Sequence, residues 1–361
     1  QSLNGGLHRI ELLIKGAELI EKIRPKGMIF PGAEEIGGGT TIDFPLRFKG
    51  ENPFRNMEII SSRLPNTPTS SLIRSDSLCG YTINPRDVVR AFIKHYAECG
   101  IDIFRNFDAY NNVKNHETVA KAIVDSGKHY QAAITFTSHY DPTLYNRLWV
   151  RDTARALRDL GAHSIAIKDM AGIASPSLIR EWSDSIKNSI PELPLVVHSH
   201  YTTGFAPLAY MQSIEVGANA IDLSISTLSG RSGHPSMEVF TKVLSDLGYN
   251  LGFDVNEAQN SMKQVANLYR EYHKHYEFCE MKMAGSIDYR VFEKGIPGGQ
   301  ISIFRNELIR NNLGHLFDRV IDQIQDVRDQ VGGVALVTPT SEHVARQSTL
   351  NAQDGLNRTT K

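Results

Sequence analysis

Residues 160–172 read LGAHSIAIKDMAG. A glycine stands where an amphipathic segment ends, an apolar run follows at once, and Lys168 and Asp169 close that run before another turn. Glycine just past a helix accepts the left-handed backbone that ends it. A short apolar run bounded by turns reads as a buried strand. The same ending recurs as CGIDIF at 99–104 and VGANAI at 216–221. Repetition of helix, glycine and strand predicts parallel strands with crossover helices packed outside them.

Working outward, strands are expected at 28–34, 69–74, 102–108, 131–136, 164–169, 194–200 and 220–226. Helical patterns separate them. In NPRDVVRAFIKHYAECG, residues 84–100, Asn84 can cap, Pro85 suits the first turn and Gly100 closes the helix. PTLYNRLWVRDTARALRDLGA and PSLIREWSDSIKNSI read the same way. Seven strands are one short of a closed (β/α)8 TIM barrel. The chain opens on a loop and helix, roughly 6–23, as though a first strand lay before Gln1. The competing open, doubly wound sheet calls for a Gly-rich turn after its first strand. The glycines at 37–39 lack the GxGxxG spacing and lead into TTIDFPLRF, which is not an evident helix. The barrel is therefore the expected α/β fold, spanning 1–254, and from about residue 255 helical patterns take over as an extension over 255–361. The polar tail QDGLNRTTK is expected to fray.

The 361 residues suffice for one large core with an appendage, and the formal net charge of −1 argues against a nucleic-acid partner. No apolar run approaches the roughly 20 residues that span a bilayer. No signal peptide is evident, so a cytoplasmic setting is expected, or the mitochondrial matrix in a eukaryote. Cys79, Cys99 and Cys279 form neither a CxxC pair nor a disulfide framework, as suits a reducing compartment.

The chemistry gathers at the expected strand ends. In VVHSHYTTG, residues 196–204, alternation turns His198 and His200 to one face, at the end of the strand where barrel active sites lie. Such a pair is half of a transition-metal site, or two hydrogen-bonded polar side chains. Lys168, one strand earlier, shares its face with Ala166 and Ser164. Inside a barrel it needs a partner such as Asp169, or conversion by CO2 to a carbamate that would add an oxygen ligand. Arg74 can clamp a carboxylate or sit in a surface ion pair. Ser302, after the glycines of PGGQIS, can shuttle a proton or merely cap backbone.

FRNFDAYNNVKN, AIKDMAG, VHSHYTTG with FAPLAY, DLSISTLSG, IPGGQ and VTPTS occur in one order, after GENPFRN and LPNTPTSSLIR. Together they resemble the biotin-dependent carboxyltransferase domain shared by pyruvate carboxylase, the oxaloacetate decarboxylase α subunit and the transcarboxylase keto-acid subunit. The likeness runs from residue 1 to about 355. It implies a (β/α)8 barrel with a helical funnel. It places the family's carboxylated lysine on Lys168 and its metal histidines on His198 and His200, with Zn, Mn or Co as the divalent ion. It places the substrate arginine on Arg74, a biotin-pocket tyrosine on Tyr81, the proton-shuttling hydroxyl on Ser302 and a glutamine touching the keto acid on Gln1. The family's further aspartate ligand would fall three residues before Gln1.

The implied reaction moves a carboxyl group between carboxybiotin and the methyl carbon of a 2-oxo acid, most simply between pyruvate and oxaloacetate. No AMKM-like lysine tether is present, so biotin is expected on a separate carrier domain or subunit. A biotin carboxylase or membrane decarboxylase subunits are expected partners, and a homodimer of barrels or a larger oligomer the expected assembly. Departures from the family bear on the substrate pocket: FPGAEEIGGGTTID stands in place of a pattern like EVWGGATFD, and Ile303 replaces an Asn after the hydroxyl residue. Rival readings are a metal-dependent aldol-type lyase or synthase, a carboxylase for another oxo acid such as 2-oxoglutarate, and a non-catalytic scaffold subunit.

Overall fold

In a computed structural model, which describes residues 10–23, 32–136, 143, 145–273, 291, 294–296 and 298–355, seven strands form one sheet. They are β1 Glu34–Gly37, β2 Thr69–Ile73, β3 Ile103–Phe107, β4 His129–Phe136, β5 Ser164–Asp169, β6 Leu195–Ser199 and β7 Ala220–Ile221. Each pairs in parallel with the next, in chain order. That order belongs to a barrel; a doubly wound sheet reverses at a switch point. Among the described residues β1 and β7 are the two ends of the sheet, and the position expected for a strand before Gln1 lies outside those residues.

Alternation explains the layers. Ile165, Ile167, Leu195 and Val197 point outward into the main core, with Ile179, Trp182 and Ile186 of the helix Pro176–Ser189. Ala133, Ala166 and Val196 point inward, where Phe107, Met170, Ala335 and Val337 join them. The C-terminal segment thus packs directly on the inner face of the sheet. Its helices Gly298–Arg310, Phe317–Gln330 and Thr340–Asp354 share a second apolar cluster around Phe304, Val320, Ile324 and Val344.

Several expectations need correction. The first strand is Glu34–Gly37, later than 28–34, because pairing with the second strand begins where Glu34 N donates to Pro68 O at 2.9 Å; residues 28–31 lie outside the described set. The last strand ends at Ile221, and the chain turns into a short helical turn at Ser226–Leu228. The glycines at 37–39 do lead into a helix, Gly39–Phe44, continued by a wider turn at Pro45–Lys49. Asn84 does not cap its helix: Pro85 holds the cap position, and the Asn84 amide donates to Asp76 O at 2.9 Å. The helix Thr340–Asp354 had no counterpart in the pattern, because Ser341, Glu342, Ser348 and Asn351 are buried on it and blur its amphipathic period.

Candidate functional site

Lys168 and His198 face each other across β5 and β6 as register partners. Both point to the inner side and are buried, at 4% exposure each. Lys168 Nζ lies 3.1 Å from His198 Nε2. The ion pair with Asp169 is not formed, since Asp169 points to the other side. Its carboxylate accepts from Ile173 N at 3.1 Å, Ala174 N at 3.0 Å and Ser199 Oγ at 2.9 Å. Burial pushes the Lys168 amine down to about 8, against the pull of Glu35. Its neutral form is therefore easier to reach than that of an exposed lysine.

His200 follows β6 directly, and the imidazoles of His198 and His200 lie 5.1 Å apart between ring centres. A third imidazole, His234, completes the group, 4.4 Å from His198 and 4.7 Å from His200. One ligand atom from each of the three lies within 4.8 Å of the others. Burial, followed by the neighbouring Lys168 and His234 charges, holds His198 well below the usual histidine range, and His200 is lowered likewise. Both are therefore neutral imidazoles with lone pairs to offer. His234 carries no signal in the sequence, because it lies in an irregular loop with no strand alternation to orient it.

Arg105 and Asp222 also escaped the sequence reading. Arg105, in β3, is inward-facing and 6% exposed. It forms a two-point ion pair with Asp222, which follows β7, one arm closing at 3.1 Å from Nη2 to Oδ1. Its Nε donates to Gln131, and Glu35 of β1 lies 3.7 Å from Nη1. Burial works against the Asp222 carboxylate, yet Arg105 and His198 hold its carboxyl well below the ordinary range. Asp222 Oδ2 in turn accepts from His198 Nδ1 at 2.7 Å. The signal was present as a cation between the apolar residues of DIFRNF.

Arg74 follows β2 at the same end of the sheet. Its Nη1 donates to Cys79 O and Gly80 O, each at 3.0 Å, and its guanidinium lies 5.2 Å from the centre of the Tyr81 ring. Among the described residues no carboxylate pairs with it, so the surface ion pair is not what holds it. Gly39 leaves it room: a Cβ there would collide with Arg74 Nη2. Ser302 lies in the helix Gly298–Arg310, not in a flexible turn; its side chain, like all of Gln1, is outside the described residues.

The loops that carry these groups are locked together. Thr202 and Thr203 donate through their hydroxyls to Ala171 O and Gly172 O. Gly172 has φ +68° and a Cβ there would collide with the His200 carbonyl oxygen, so the turn after Lys168 admits only glycine. The Tyr210 hydroxyl accepts from Ser199 N at 2.9 Å and lies 2.8 Å from Asp222 O, tying β6 to the end of β7.

Known proteins share the fold and much of the sequence. The conserved carboxylase domain family matches residues 291–360 and the HMGL-like family matches 92–268. A pyruvate carboxylase chain of Methanocaldococcus jannaschii is 33% identical over 97% of this chain and 59% of its own length. Pyruvate carboxylase of Bacillus subtilis is 30% identical over 95% of this chain and 30% of its own. The carboxyl transferase domain from Rhizobium etli pyruvate carboxylase, solved with oxamate and biotin, superposes with a TM-score of 0.86 at 26% identity, over 98% of this chain and 58% of that one. The chain thus spans about three fifths or less of these relatives. Among the described residues no helix is long and apolar enough to cross a membrane. By sequence along almost its whole length, and by fold, the chain is similar to the carboxyl transferase part of pyruvate carboxylases.

Proposed function

We propose that this chain transfers a carboxyl group between carboxybiotin and the methyl carbon of a 2-oxo acid, pyruvate and oxaloacetate being the simplest pair. The observation that supports this most is the convergence of Lys168 with His198 and His200 at one end of the sheet, near Arg74, in a chain with this similarity. The donor set fits a divalent ion: the imidazoles are neutral, and the Lys168 amine is depressed enough to take up CO2 as a carbamate. When bound, such an ion supplies positive charge where an enolate oxygen develops.

The chain's own side chains do the rest. With Nη1 committed to two carbonyls, the Arg74 guanidinium is fixed in place and keeps other donors for the substrate carboxylate. Tyr81 stacks against it and shapes the place for the biotin ring system. Ser302 carries the proton that leaves the methyl carbon across to the biotin nitrogen from which the carboxyl group departs. One carbon–carbon bond forms and one carbon–nitrogen bond breaks. The biotin carrier is a separate domain or polypeptide.

Oxaloacetate decarboxylation by the purified protein, with and without free biotin, tests the reading. Stimulation by biotin is expected, with pyruvate as product. Metal-dependent cleavage of an acyl-CoA or keto acid that ignores biotin would establish the aldol-type alternative instead.

A further inference from the structure

The hydrogen bonds around His198, His200 and His234 have one common form. Each ring engages a fixed oxygen through Nδ1: His198 to Asp222 Oδ2 at 2.7 Å, His200 to Ser232 O at 2.5 Å and His234 to Ser199 O at 2.9 Å. Carboxylate and carbonyl oxygens only accept, so each Nδ1 carries the proton and each Nε2 is left with a lone pair. Arg105 Nη1 also lies 3.2 Å from His198 Nδ1, but it already donates to Asp222 and is not needed as a donor to the ring. Histidines that bind metals are held in this way, their second nitrogen tied to a carboxylate or carbonyl.

His234 is built into place. Its loop is closed by Gly230 N donating to His234 O at 2.8 Å, and joined to the segment after β6 by Tyr201 N donating to Gly233 O at 2.8 Å. The ring contacts alone admit a plain reading, three imidazoles packed edge to face. That reading leaves three ring nitrogens with lone pairs close together in a mostly buried space, where among the described residues only the Lys168 amine donates to one of them, at His198. A cation resolves the conflict. Tetrahedral Zn²⁺ with bonds near 2.0–2.1 Å brings its nitrogens to roughly 3.3 Å apart, which the present spacing reaches by small side-chain adjustments.

We propose that His234 is a third imidazole ligand, joining His198, His200 and Lys168 around one ion. This rests on the metal site argued above and adds a residue and a preference to it. Three imidazoles favour Zn²⁺ or Co²⁺ over Mn²⁺ or Mg²⁺, which prefer oxygen donors.

The test measures Co²⁺ and Mn²⁺ binding to the protein by competition with a chelator, together with the visible absorption of the Co²⁺ form, for the parent, His234→Gln, His234→Ala and His200→Ala. The expected result is one tightly held Co²⁺ in the parent. Loss of His234 should weaken Co²⁺ by at least about tenfold, shift its visible bands and narrow the preference for Co²⁺ over Mn²⁺. Unchanged affinity and spectrum in both His234 variants, with binding lost in His200→Ala, would overturn the third ligand and leave the metal site standing. No binding in the parent would end both. X-ray absorption of the Co²⁺-loaded parent needs no variant to fold: three imidazole shells support the assignment and two refute it.

Discussion

Lys168 Nζ stands 3.1 Å from His198 Nε2, buried, with no carboxylate in ion-pair reach among the described residues. A permanent cation is poorly served there, and a neutral amine or its carbamate is well served. Arginine never gives up its charge and cannot form a carbamate. Lys168→Arg should therefore lower biotin-stimulated decarboxylation at least about a hundredfold, the cost of losing one preorganised electrostatic group, and reduce the bound ion. Activity and elemental content of the same preparation check this. A variant that keeps its ion and most of its activity would show that the amine has no part in the site.

What the sequence made legible, and what it hid, follows from periodicity. Strand alternation turned Lys168, His198 and Ser164 inward and Ile165 and Ile167 outward, because β5 and β6 are regular and buried on both faces. The first strand was misplaced because MIFPGAE is more apolar than EEIG, while the pairing that fixes the strand comes from contacts distant in sequence. Asp222 and His234 were hidden for the same reason: both stand where regular pairing has stopped, and only folding brings them to His198. Arg105 sat in plain view, but a cation among apolar residues gives no hint of which anion will meet it.

Arg105 is buried and Asp222 half-buried, and the pair is closed at two points, so its members cannot be removed singly at low cost. Asp222→Asn leaves the guanidinium with only the more distant Glu35, 3.7 Å from Nη1, and should destabilise the fold by up to about 3 kcal/mol. Replacing both, as Arg105→Met with Asp222→Leu, should recover much of that loss, because neither charge is then desolvated. The doubly substituted protein should still be inactive, since His198 loses the acceptor that sets its tautomer. Urea unfolding of the three variants beside the parent decides it; equal destabilisation by single and double changes would contradict the account.

Arg74 and Tyr81 differ in what they offer. Arg74 spans two backbone carbonyls and keeps donors for a substrate, a geometry that a lysine point charge cannot reproduce. Arg74→Lys should raise KM for the oxo acid about tenfold or more. Tyr81→Leu removes a ring contact worth about 0.5–1 kcal/mol and should change KM for the oxo acid only about two- to fivefold. Steady-state kinetics in oxaloacetate gives both numbers. If the tyrosine change proves the larger, Arg74 is not the carboxylate clamp.

Away from the site, His116 is 1% exposed and meets Asn106 Nδ2 at 3.0 Å and the Tyr130 hydroxyl at 2.9 Å through Nδ1. Burial pushes its pKa down from 6.5 to about 4. The unfolded chain then binds the extra proton between those two values, so stability is complete above pH 6.5 and falls as pH drops towards 4. At 1.36 kcal/mol per unit the loss over that window is roughly 3 kcal/mol from this residue alone. His116→Asn, which keeps a neutral polar group, should flatten the decline by about that amount even though it costs stability at neutral pH. Urea midpoints for both proteins at closely spaced pH values measure the difference in slope, and parallel curves would mean that His116 titrates normally in the folded state.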